Sequence, residues 1–203
     1  ADMAGADEIY RLGGAQAIAA MGLGTESMER VQKIVGPGNV YVTAAKMLLR
    51  GSVEIDFPAG PSEVLILADR TADPGVVAAD MIAQGEHDPR SISVLVTTDD
   101  LMASAVMEEL NIQAATASRS DIIQQSLEHS AVLLAGDLDE ALDFCNAFAA
   151  EHLEIITADP MGAFRSIRNA GSVFLGRYTP VAAGDYASGT NHVLPTSGYA
   201  RVF

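Results

Sequence analysis

Short, continuous apolar runs rich in β-branched residues alternate with alanine-rich stretches along the whole chain. The runs predict strands over 33–35, 53–56, 64–68, 94–97, 131–134, 153–157 and 172–175. The stretches between them predict helices over 15–21, 40–49, 75–86, 101–109, 120–129, 138–149 and 161–169. Most of the strand runs are apolar throughout rather than alternating, as expected of strands covered on both faces in a largely parallel α/β sheet. Local signals support several helix starts. Asp73-Pro74 puts a capping side chain ahead of a proline in the first turn. Asp137 can cap the helix over 138–149, with Asp139 and Glu140 suited to the positive end of its dipole. Between two predicted strands, Asp56-Phe57-Pro58-Ala59-Gly60-Pro61-Ser62 carries two prolines and a glycine, the best candidate for a crossing between domains.

Composition narrows the picture. With 203 residues, 49% hydrophobic and 19% charged, the chain has enough apolar material for a core and is not a disordered tail. Its formal net charge is −15 and its only lysines are Lys33 and Lys46, so it repels polyanions and nucleic acid is not an expected partner. The single cysteine, Cys145, rules out an internal disulfide and a cysteine-based zinc site, and its apolar surroundings in sequence point to a buried structural thiol. No apolar run approaches the roughly 20 residues of a membrane span, and the first residues do not read as a signal peptide. No membrane partner is expected, and the expected location is cytoplasmic. The chain opens at Ala1 without an initiator methionine and stops soon after a Gly- and Pro-punctuated segment, so a piece of something longer is expected.

Four segments carry chemistry. In Gln84-Gly85-Glu86-His87, at the end of a predicted helix, Gln84 and His87 are three apart and share a face, so an amide oxygen and an imidazole can converge on one cation. A lone histidine at a helix end is otherwise more often a cap or a surface residue. Glu151-His152 pairs a base for water with a proton shuttle. It lies at the start of a predicted strand, however, whereas chemistry in open α/β sheets usually gathers at the strands' carboxyl ends. The stretch from Gly184 to Thr196 is rich in Asp, Tyr, Ser, Thr, Asn and His. It reads as a functional polar loop, because Val193, Leu194 and Pro195 argue against disorder. Gly36-Pro37-Gly38-Asn39 lies between a strand and a helix, where the backbone can approach a phosphate, although it also suits a plain tight turn. Gly13-Gly14-Ala15-Gln16 reads as a similar turn.

In order, these segments together with Ala59-Gly60-Pro61-Ser62-Glu63 resemble the histidinol dehydrogenase family over nearly the whole chain and about the middle half of the family's usual length. The resemblance implies zinc ligands at Gln84, His87 and Asp185, with a further histidine ligand on a C-terminal tail from the neighbouring subunit. It implies that Glu151 activates water and that His152 moves protons to and from the substrate. Ser62, Tyr186 and His192 match positions around the substrate, which the metal ligands Gln84, His87 and Asp185 also contact, and Gln16 and Asn39 match NAD contacts. The implied cofactors are NAD and Zn2+, the substrate L-histidinol, and the assembly of the full-length form a homodimer.

The implied fold is α/β, with two incomplete Rossmann-like units made of mostly parallel sheets and flanking helices. Residues 1–62 would form a partial unit with NAD contacts, and 63–203 the unit carrying zinc and the catalytic residues. Two departures from the family stand out. Val181 occupies a position where glutamate is common, which keeps open a sister NAD-dependent dehydrogenase of another small alcohol. Gly85 replaces a more usual alanine, which should loosen the helix by ~1 kcal/mol. A catalytically silent fragment is the other alternative.

Overall fold

The run Glu63–Ala68 forms a strand, β3, with all six residues buried, and alternate residues feed two different cores. This computed structural model describes residues 3, 5–56, 60–191 and 193–202. The chain divides into two compact units, Ala1–Gly60 and Pro61–Phe203, so that Ser62 is the second residue of the second unit.

The first unit contains α1 (Gly14–Leu23), β1 (Lys33–Ile34), α2 (Val40–Leu49) and β2 (Glu54–Ile55), with β1 and β2 paired in parallel. Ile18, Ile34, Val53 and Ile55 form its small core. Lys46, one of the two lysines, is buried and paired with Asp56 at 2.7 Å. The same ammonium also donates to the Gly36 carbonyl, while Asp56 Oδ2 accepts the Gly36 N–H at 2.8 Å. A buried ion pair therefore ties down the turn that precedes α2, and its geometry is met on both sides by backbone groups.

In the second unit, β3 is followed by α3 (Pro74–Gly85), β4 (Ile92–Thr97), α4 (Asp100–Thr116), α5 (Ser120–Leu127) and β5 (Ala131–Leu134). Then come α6 (Leu138–Phe148), β6 (His152–Ile156), α7 (Pro160–Phe164), β7 (Ser172–Leu175) and α8 (Val181–Tyr186). The five strands form one parallel sheet in the order β5-β4-β3-β6-β7, so the direction of winding reverses between β3 and β6. Val64, Ile66 and Ala68 face Val77, Met81 and Val106 of α3 and α4, while Leu65 and Leu67 face Leu142 and Cys145 of α6. This two-sided burial is why the strand reads as an unbroken apolar run.

The elements agree closely with the sequence reading, including the caps at Asp73 and Asp137 and the buried Cys145. The differences are local. α4 runs on to Thr116, α7 stops at Phe164 although a helix was expected over 161–169, and the segment expected as a polar loop begins within helix α8, which makes Asp185 and Tyr186 its last two residues. Among the described residues no helix is long and apolar enough to cross a membrane.

Candidate functional site

Seven of the side chains singled out from the sequence line one cavity of about 350 Å3: Ser62, Gln84, His87, Glu151, His152, Asp185 and Tyr186. Topology explains the convergence. Ser62 immediately precedes β3, Glu151-His152 opens β6, and the two strands are neighbours, with Val64 opposite His152. α3 returns from the carboxyl end of β3 to the start of β4, as a parallel crossover must, and so delivers Gln84 and His87 to the same edge. The site therefore lies at the winding reversal but at the amino ends of the strands, the edge opposite the usual one.

The backbone around Glu151 is held from two sides. Helix α6 is capped by Ala149, which takes the left-handed conformation (φ 55°) and donates to the Cys145 carbonyl at 3.0 Å. A non-glycine residue there is strained, and the turn carries the chain into β6 within two residues. From the other side, Gly171 N–H reaches the Ala150 carbonyl and Ser172 N–H the Glu151 carbonyl, each at 2.9 Å. A β-carbon on Gly171 would lie 2.6 Å from the Glu151 carbonyl oxygen, so only glycine allows this approach.

The Glu151 and His152 side chains are both 7% exposed, and the backbone of Glu63 holds each. Its N–H donates to Glu151 Oε2 at 2.9 Å, and its carbonyl meets His152 Nδ1 at 3.1 Å. A carbonyl can only accept, so Nδ1 carries the hydrogen and Nε2 is the basic nitrogen. The Phe174 ring flanks the imidazole, with centroids 6.1 Å apart, and Gly184 lets α8 close on that ring. Burial pushes the Glu151 carboxyl up to about 8, opposed by the Glu63 N–H and reinforced by the charges of Glu63 and Asp185. The Glu63 carboxyl is itself raised by burial, and its Oε1 accepts the Ser197 N–H at 2.8 Å.

The donors fit a cation site. Gln84 is 4% exposed, and its side-chain amide has no hydrogen-bond partner among the described residues. It faces the cavity beside the half-buried Asp185 and the exposed His87. Among the described residues no three or more His, Cys, Asp or Glu side chains form a metal-holding group. The set reaches three donors only through the Gln84 amide. An imidazole, a carboxylate and an amide oxygen suit a borderline divalent ion, and the imidazole favours zinc. Tyr186 is 84% exposed at the mouth.

The remaining candidates are Gln16, Asn39 and His192. Gln16 is exposed in the first turn of α1, in the first unit. Asn39 caps α2, its Oδ1 accepting from the Tyr41 and Val42 amides at 3.1 and 3.2 Å, so only its NH2 group can serve a ligand. That leaves two exposed amides able to donate to the polar groups of a nucleotide. His192 lies outside the described residues. The sequence reading gave no role to Glu63, Asp80, Glu154, Gly171 or Phe174. A usable signal existed for one of them: Glu154 is a charge inside an apolar strand, two residues from His152.

The Histidinol dehydrogenase family model matches residues 1–203. Histidinol dehydrogenases of Methanosarcina barkeri and Methanosarcina mazei are 60% and 58% identical to this chain over 203 residues, covering 100% of it and 47% of each relative. The crystal structure of histidinol dehydrogenase from Elizabethkingia anophelis is similar at a TM-score of 0.95 and 45% identity, over 100% of this chain and 47% of that one. The chain thus spans about half the length of the curated relatives it matches.

Proposed function

The chain belongs to the histidinol dehydrogenase family, and on that premise we propose that it carries the zinc and catalytic residues of an enzyme that oxidises L-histidinol to L-histidine, the last step of histidine biosynthesis. The observation that carries this reading is the convergence of Gln84, His87, Asp185, Glu151 and His152 on one cavity from four separate segments. The balanced reaction takes L-histidinol, two NAD+ and water to L-histidine, two NADH and three protons. Zinc held by Gln84, His87 and Asp185 would supply a fixed positive charge that orients and polarises the substrate, and NAD would accept the hydrides.

The chain's own residues divide the proton work. His152 Nε2 takes the alcohol proton in the first oxidation, and its Nδ1 hydrogen stays on the Glu63 carbonyl, so the ring keeps one orientation. Glu151 takes a proton from the water that adds to the aldehyde. A carboxyl titrating near 8 is a stronger base than an ordinary one and is partly ionised at neutral pH. Ser62 and Tyr186 line the same cavity and supply hydroxyls to the substrate. In the first unit, the Gln16 amide and the Asn39 NH2 group would bind NAD.

NADH formation from L-histidinol by the zinc-supplied chain, lost on His87→Ala or His152→Ala, tests this reading. Zinc retention without turnover would mark the chain as insufficient for activity. A full-length relative carrying these residues that was silent on histidinol, but active on another small alcohol, would overturn the substrate.

A further inference from the structure

We infer that the side chains of Asp80 and Glu154 form the positioning element of this site, fastening α3 and α8 to β6 so that Gln84, Asp185 and His152 keep one arrangement. The fastening starts from the bond between Glu154 and the Val181 amide; its consequence for metal binding rests on the function just proposed.

Each of the three elements carries a site residue and a companion one repeat away. Asp80 lies four residues before Gln84 on α3, and Val181 four before Asp185 on α8. Glu154 lies two after His152 on β6. Spacings of four in a helix and two in a strand put residue and companion on the same face. The companions meet. Glu154 Oε1 accepts the Val181 N–H at 2.9 Å, and the Asp80 carboxyl lies beside the Glu154 carboxyl.

The bond to Val181 does a specific job. α8 is six residues long, and its N-cap position is Pro180, which supplies no side-chain cap. Its first amides have no partner within the helix. Glu154 provides from the sheet the acceptor that the local sequence lacks, and so caps α8 through tertiary contact. On the other side, Glu154 Oε2 is buried and finds no donor among the described residues. Burial raises both carboxyls, and the Asp80 charge adds to the rise at Glu154.

Glu154 is 1% exposed in the apolar layer that includes Ile66, Met81 and Ile156, and Val181 packs against that layer. An apolar residue of similar shape would fill this place at lower cost, but it could hold neither α8 nor α3. Asp80 and Val181 also line a cleft of about 90 Å3 together with Gln84, His87 and Asp185.

Two measurements on the whole 203-residue chain test the inference: hydrogen exchange of amides 181–187 without added metal, and zinc affinity by competition with a chromogenic chelator. Glu154→Gln keeps an acceptor for Val181 and a donor for Asp80, and should stay within about 3-fold of wild type in both. Glu154→Met should speed exchange across α8 about 10-fold while β3 and β4 stay protected, and weaken zinc about 10–100-fold, the usual reach of outer-shell contacts. Asp80→Ala, at a half-buried position, should weaken zinc about 10-fold in a folded chain and serves if Glu154→Met does not fold. Unchanged α8 exchange in a folded Glu154→Met, or equal loosening by Gln and Met, would overturn the inference. So would unchanged zinc affinity in Asp80→Ala. If wild type held no zinc yet Glu154→Met loosened α8, the fastening would stand and the metal assignment would fall.

Discussion

Glu63 holds Glu151 through its backbone and not its side chain: the Glu63 N–H donates to Glu151 Oε2 at 2.9 Å across the β3–β6 pairing. Because the donor is an amide of the central strand, the carboxylate sits as firmly as the sheet itself. The adjoining Glu63 carbonyl does the same for His152. The register of two strands thus sets the spacing of the acid–base pair.

It follows that Glu151→Gln should keep the fold, since an amide oxygen can accept the same N–H. Aldehyde oxidation should fall by about 100-fold or more, and alcohol oxidation by much less. Separate assays of the two half-reactions, each started from its own substrate, check this. Equal losses would remove Glu151 from the water-activating role.

Gly171→Ala should reach Glu151 from outside the cavity. The added methyl would sit 2.6 Å from the Glu151 carbonyl oxygen and 3.2 Å from Leu194 Cβ. Relief requires moving the start of β7 or of β6, at about 1–3 kcal/mol of stability. Chemical denaturation measures that loss, and activity should drop with it. An unchanged midpoint would mean the junction yields more easily than its packing suggests.

At Gly85, helix propensity alone predicts only a looser helix. The residue is buried, and a β-carbon there would lie 3.2 Å from Ser126 Oγ, itself fixed by a 2.9 Å bond to the Ser91 carbonyl. Gly85→Ala should therefore forgo the ~1 kcal/mol gain expected from helix propensity. Much of it should return in a Ser126→Ala background. A double-mutant cycle with no coupling between the two positions would contradict this.

Stability should decline with pH through Glu154. Its carboxyl titrates from 4.5 in its ordinary state to about 8 when folded. Below about 4.5 both folded and unfolded chains hold the proton, and there is no penalty. Between the two values the folded chain keeps a proton the unfolded chain releases, so stability falls as pH rises, and above about 8 the loss is complete. Melting temperature should be lower at pH 8.5 than at pH 6, and Glu154→Gln should flatten that slope. A slope unchanged in the variant would assign the effect to other buried carboxyls, Glu63 and Glu151 among them.

Much of the fold was legible because the determining signals are local. Strands such as Val64–Ala68 announce themselves by apolar runs, and α3 and α6 by aspartates whose side chains reach amides two or three residues on. The site's composition was legible through the ordered motifs, which named the side chains that line the cavity before any contact was visible.

Propensity, capping and motif order act over a few residues, and they set the order and kind of the elements and the identity of the chemical groups. Tertiary structure alone decided how those groups are held. The meeting of Asp80, Glu154 and Val181, the approach of Gly171 to the Glu151 carbonyl and the crowding of Gly85 by Ser126 all join residues far apart in the chain. Asp185 and Tyr186 belong to a helix and not to a loop for the same reason: α8 lacks a cap of its own and takes one from a buried strand. Such contacts depend on which strand lies beside which, and no local pattern encodes that.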